Sequence, residues 1–138
     1  MSYICRVGNL TGPPTLRKDS ESGRPYCFAR VAVNDRAKDD NGEWLNVGTT
    51  YYSLTVWGDQ AARLVDLAES SGNVRILFTG HYRARQFNRS DGTQGTSHDV
   101  FCDEVAASLR GQQVRVPRGN AELDDTDTDA YWRALASS

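Results

Sequence analysis

The chain has 138 residues and is poor in several things. No apolar run approaches the roughly 18 residues of a membrane span, so no helical anchor is expected. The start, Met1-Ser2-Tyr3-Ile4-Cys5-Arg6, lacks the charged-then-apolar pattern of a secretion signal, and the expectation is a cytoplasmic protein. Cysteine is scarce and odd in number: Cys5, Cys27 and Cys102, with no pair at zinc-ligand spacing. They read as small buried thiols. His81 and His98 are the only histidines, and neither sits in a metal-spaced or triad-like motif. There is no glycine-rich phosphate loop. Asp125, Asp127 and Asp129 imitate the opening of a calcium loop, but Ala130 stands where glycine is needed and the closing glutamate is missing. These absences leave no enzyme, cofactor or metal to expect. Lysine is nearly absent as well: 14 of the 16 basic residues are arginine, whose planar fork suits phosphate contact and base stacking.

The net charge of −2 argues at first against a polyanionic partner. Its distribution reverses that. Residues 1–119 hold 15 Lys/Arg against 13 Asp/Glu, whereas residues 120–138 hold one Arg and five acids. Local sign governs binding more than the total does. The chain divides into a globular part, residues 1–111, and a short acidic tail, residues 112–138, expected to be disordered.

Within the globular part the hydrophobic period is two, with one interruption. Residues 3–10, 26–34 and 49–57 read as strands from their β-branched and aromatic content. Asn41-Gly42 is a hairpin signal between the second and third. Then Ala61, Leu64, Val65 and Ala68 fall at helical spacing, with Asp59 as a cap and Gly72 as a stop. Residues 73–86 and 95–105 return as strands around a Ser90-Asp91-Gly92 turn. The order β-β-β-α-β-β is that of the OB-fold, a five-stranded Greek-key barrel, mostly all-β, with one helix between strands 3 and 4.

Alternation sorts the faces. Tyr52, Leu54 and Val56 make a core face, which turns Tyr51, Ser53, Thr55 and Trp57 outward. On the fourth strand Arg83, Arg85 and Phe87 share a face, which is poor core material because an unpaired buried arginine is costly. Rings that stack bases beside guanidinium groups that neutralise phosphates suit single-stranded nucleic acid. Tyr26, Phe28, Arg30 and Asn34 face away from the second strand's apolar side. The hairpin after it adds Arg36, Lys38 and Trp44, among Asp35, Asp39, Asp40 and Glu43. Trp44 reads equally as a ligand contact and as loop packing.

The residues then show a resemblance. Val7-Gly8-Asn9-Leu10-Thr11 with Pro14, Leu16 and Arg17; Val31-Ala32-Val33-Asn34 with Gly42-Glu43-Trp44; Val56-Trp57-Gly58 before a helix; Gly80 with Arg83-x-Arg85-x-Phe87; and Asp103-Glu104-Val105 with Ser108-Leu109-Arg110 follow the order and spacing of the bacterial single-stranded DNA-binding proteins. The chain resembles that family over about residues 3–110. The resemblance implies non-catalytic binding and protection of single-stranded DNA in replication, recombination or repair. It puts the stacking aromatics on Tyr51, Trp57 and Phe87 and basic contacts on Arg83 and Arg85, and Arg36, Lys38 and Arg89 are assigned phosphate contact in the same scheme. It also implies a homotetramer. The chain departs from the pattern at Arg6 and Ala29, where larger apolar residues are usual, at Pro13, where an acid is common, and at Ala37, near a further stacking position. The tail departs most: its acids and Trp132 stand short of the terminus, which ends Leu135-Ala136-Ser137-Ser138, so a protein partner reached through it is a separate expectation. Two other readings stay open: an RNA-binding or primosomal accessory OB module, and an adaptor that acts through the tail.

Overall fold

The computed structural model describes residues 2–117. Six strands and one helix run in the order β1 (Ser2–Leu10), β2 (Thr15–Lys18), β3 (Pro25–Lys38), β4 (Trp44–Trp57), α1 (Asp59–Ser71), β5 (Arg75–Asn88) and β6 (Gln94–Ala107). Residues 112–117 carry neither helix nor strand, and the rest of the expected acidic tail lies outside the described residues.

The sheet order is β1-β5-β6-β4-β3-β2, and a further β1–β3 pairing closes the five long strands into a barrel. This is the OB-fold. Its one parallel pair, β4 with β6, runs from Tyr52↔His98 to Thr55↔Phe101. The short β2 is an addition to the expected count. It pairs only with β3, and all four of its residues are exposed, so it has no burial alternation to betray it. Closure requires backbones to approach closely. A Cβ at Gly8 would sit 2.5 Å from the Ala32 carbonyl oxygen, and one at Gly80 would collide with the Phe101 carbonyl oxygen.

The interior is built from the inward residues of the alternation. Leu10, Val31, Leu54, Val56, Ile76, Phe78 and Val100 are fully buried, and each large apolar side chain contributes roughly 1.5–3 kcal/mol of burial. Helix α1 adds Ala61, Leu64, Val65 and Ala68 to the same cluster and packs on β2, β3, β4 and β6. Gly72 ends the helix as expected, at φ 77° with its N–H donating to the Ala68 carbonyl at 2.9 Å. Asp59 is not the cap. Gly58 holds that position without a side-chain bond, and Asp59 lies one residue inside, where its carboxylate meets Arg63 at 3.4 Å and favours the positive end of the helix dipole.

The cysteines only partly match the expectation. Burial pushes the Cys27 thiol up to about 11 and the half-buried Cys102 up to about 12. Cys5 is exposed instead, because alternation along β1 turns it outward.

Two hairpins extend beyond the barrel wall on either side of the β4–β6 seam. In the first, Asp39 N–H donates to the Glu43 carbonyl at 2.9 Å; in the second, Arg89 N–H donates to the Thr93 carbonyl at 2.8 Å. Each turn places a glycine in the left-handed region, Gly42 at φ 80° and Gly92 at φ 88°. That is the geometry of a three-residue loop. Asn41 does not adopt positive φ, unlike the two-residue turn its pairing with Gly42 predicts. The Asp39 carboxylate accepts from the N–H groups of Asn41 and Glu43 at 2.9 and 2.8 Å, and Asp91 accepts from the Thr93 N–H and hydroxyl at 2.9 and 2.6 Å. The Thr93 hydroxyl and then its backbone N–H hold the Asp91 carboxyl below its ordinary value.

Candidate nucleic-acid interface

Register determines which side chains share the outer surface. Tyr26 pairs with Trp57, Phe28 with Thr55, Arg30 with Ser53 and Ala32 with Tyr51 across β3 and β4. Ser53 and Thr55 then lie beside Asp99 and Phe101 of β6. Those two pair with Arg83 and His81 of β5, and further along the same pair of strands Arg85 opposes Ser97 and Phe87 opposes Gly95. The outward residues of four strands thus form one continuous field of aromatics, arginines and hydroxyls.

Tyr51 and Phe87 stand where the sequence put them, outside the barrel, with 47% and 41% of their surface exposed. They line one groove of about 470 Å³ with Arg30, Arg89, Thr49, Thr50, Ser53, Thr96, Ser97 and His98. Trp57 also faces outward but lies six residues from Tyr51 along β4, outside this groove, and is half-buried. Its ring packs at 4.8 Å on Tyr26, which meets Phe28 edge-on at 5.6 Å.

Five of the outward rings carry a cation. Arg30 lies 4.5 Å over Tyr51, Arg89 5.5 Å over Phe87, Arg24 5.5 Å over Trp57, Lys38 5.3 Å over Trp44 and Arg83 5.9 Å over Phe101. All are within the range of cation–π attraction. The pairing sets a positive charge directly beside each of these five rings. Arg89 also donates to the Gln94 carbonyl at 3.0 Å, which fixes it to its own hairpin.

The remaining expected residues divide. Arg36, Lys38 and Trp44 sit on the first hairpin, where Lys38 is the register partner of Trp44 and Arg36 of Asn46. Trp44 is 61% exposed, with the Lys38 ammonium of its own hairpin 5.3 Å over its ring. Arg85 is only partly available. Its guanidinium meets Asp99 at 3.2 Å, and Asp99 also accepts from the Ser97 hydroxyl at 2.6 Å.

Sequence reasoning passed over Arg30, the hydroxyl lining and Phe101. Alternation turns Arg30 outward but gives it no role. Phe101 lies in Val100-Phe101-Cys102, which reads as core. Pairing with β4 and β5 is what shows it outside. Beneath the field, His98 points toward the barrel, where its Nδ1 lies 2.7 Å from the Tyr82 hydroxyl and the two rings stack at 12°. Among the described residues no cluster of His, Cys, Asp or Glu has the makings of a metal site.

Comparisons with known proteins bear on the family and the fold. Residues 1–108 match the single-strand binding protein family. The single-stranded DNA-binding protein of Mycobacterium leprae is 32% identical over 119 residues, which is 85% of this chain and 68% of that protein. Single-stranded DNA-binding protein 2 of Streptomyces coelicolor is 27% identical over 88% of this chain, a match that spans 60% of that protein. In the crystal structure of a small single-stranded DNA-binding protein from Streptomyces coelicolor, the same fold aligns with a TM-score of 0.61 at 24% identity, covering 78% of this chain and 94% of that one.

Proposed function

The chain belongs to the single-strand binding protein family, whose members bind rather than catalyse, and on that premise we propose that it holds single-stranded DNA on its outer sheet. The observation that carries this is the groove between Tyr51 and Phe87, with Arg30 over one ring and Arg89 over the other. Unpaired bases stack on Tyr51, Phe87 and Trp57 with little sequence preference. Arg83, Arg30 and Arg89, with Arg36 and Lys38 on the first hairpin, take the phosphates, and Arg85 joins them when it leaves Asp99. Duplex DNA is refused because its base faces are already stacked. The roles served are replication, recombination and repair, in the cytoplasm. Residues 1–111 are the binding unit, and the acidic tail serves a protein partner.

The active form is a homo-oligomer, four copies by analogy with the family. One feature of the barrel supports self-association: among the described residues, Ser2–Gly8 of β1 pair with β5 alone, which leaves an open strand edge.

The test is intrinsic tryptophan fluorescence titrated with poly-dT, with duplex DNA and poly-U of equal length as controls. Saturable quenching by poly-dT, with none by duplex, is expected. Equal affinity for poly-U would move the protein to the RNA-binding reading. No response to any single strand would defeat the proposal.

A further inference from the structure

We infer that Phe28 and Phe101 form a second stacking row on this face, through which a long single strand crosses the sheet at Thr55. The inference rests on the single-stranded DNA reading and extends it to two residues that reading does not use.

Phe28 and Phe101 flank Thr55 on its two neighbouring strands, β3 and β6. Two strand spacings, about 10 Å, therefore separate their backbones. Both rings are exposed, Phe28 by 54% and Phe101 by 41%. An isolated exposed ring needs no explanation. Two in one transverse row, continuous with an aromatic cluster, do. Phe28 joins the Trp57–Tyr26 cluster on one side. On the other, Phe101 is the register partner of His81, whose ring meets Tyr3 at 5.2 Å.

Charge selects the occupant. The neighbouring transverse row, one outward position along each strand, is Arg30, Ser53, Asp99 and Arg83. Arg83 also lies over the Phe101 ring. Rings in one row and guanidinium groups at both ends of the next match a polyanion with stackable faces. A protein partner's apolar surface would instead have to desolvate both arginines. The row lies one outward position beyond Arg30 and Ser53 of the Tyr51–Phe87 groove, so an oligomer short enough to be confined to the groove does not reach it, and a long one does.

The experiment uses the full chain with Phe28→Ala, Phe101→Ala and the double variant, titrated by anisotropy with a short and a long labelled oligo-dT. Light scattering and a thermal melt accompany each protein. The double variant is expected to lose about tenfold or more in affinity for the long oligomer and little for the short one, at unchanged mass. Phe101→Tyr, which keeps the ring, is expected to retain wild-type binding. Unchanged affinity for the long oligomer, while Trp57→Ala and Phe87→Ala still weaken it, overturns the second row and leaves the binding reading intact. If those two variants are silent as well, the binding reading itself falls. A drop in mass in the double variant also overturns the inference, since it makes the row a contact between copies.

Discussion

Arg6 of β1 and Asp35 of β3 form an ion pair of 2.9 Å at the point where the β3–β4 register shifts, between Asp35 and Arg36. The Thr50 hydroxyl donates to the other carboxylate oxygen at 2.8 Å, and Arg6 lies 5.8 Å over the Tyr52 ring. Three strands are thereby tied together at the root of the first hairpin, one residue from Tyr51.

The contact has a pH sign. The Thr50 hydroxyl, and then Arg6, hold the Asp35 carboxyl below its ordinary value. A carboxylate lowered in the folded state contributes stability above its unfolded value, and that contribution is lost as pH falls through the lowered one. The hairpin root is therefore intact at neutral and mildly acidic pH, and Asp35→Asn imitates strong acid. Hydrogen exchange at pH 7 is expected to quicken in Asp35→Asn across residues 36–46, while the barrel amides keep their protection.

Trp57→Ala is expected to cost about 1–3 kcal/mol of affinity for oligo-dT, and Tyr51→Ala a similar amount. Arg30→Ala weakens binding less than Tyr51→Ala, because it removes a charge and leaves the ring. Anisotropy titrations at one fixed salt concentration check the ranking.

Asp99 sets the value of its neighbours. It is an acid in the middle of a basic field, and it holds Arg85. Asp99→Asn is expected to strengthen binding by releasing that guanidinium and removing a repelling charge, and to steepen the salt dependence. Arg83→Ala is expected to flatten it. Affinities measured across a salt series decide both, and an identical slope for Arg83→Ala would remove it from the phosphate contacts.

Gly95 controls Phe87. A Cβ at this position would come within 2.6 Å of the Phe87 ring tip and 2.8 Å of the Arg89 guanidinium. Both are the far ends of side chains, and the Arg89 guanidinium would give up at most its exposed bond to the Gln94 carbonyl, so Gly95→Ala is expected to leave the melting temperature nearly unchanged. The displaced ring should nonetheless weaken oligo-dT binding several-fold, comparable with Phe87→Ala. A melt and a titration of the same sample separate the two effects.

Removing residues 120–138 deletes five acids and one arginine. The truncated chain is expected to bind oligo-dT as well as the full chain or better, because tail carboxylates compete with phosphate for the basic face. Loss of binding would favour the adaptor reading. A parallel titration of both chains at low salt measures it.

The barrel and the directions of Tyr51 and Trp57 were legible because alternation is a local signal. Leu54 and Val56 can be core only if Tyr51 and Trp57 are not. The groove was less legible. It joins β4 to the second hairpin through the parallel β4–β6 pair, and no local pattern announces a parallel pair. The outer half of the first hairpin, residues 35–38 and 44–48, carries charged and mixed residues with no buried face, so its strands read as loop. Phe101 was hidden for the opposite reason: its neighbours Val100 and Cys102 face inward, and three apolar residues in a row look buried on both sides.

Closure of the ring has a last consequence. With β1 joined to β3 at Asn9 and Leu10 and β4 paired to β6, and with glycines at the tightest approaches, flattening or widening the wall would pull apart the side chains packed inside it. The distance between rings on its surface is thus set by the packing inside. Any polynucleotide that settles there must take up the cylinder's bend, so the work of adaptation falls on the flexible ligand and on the two hairpins.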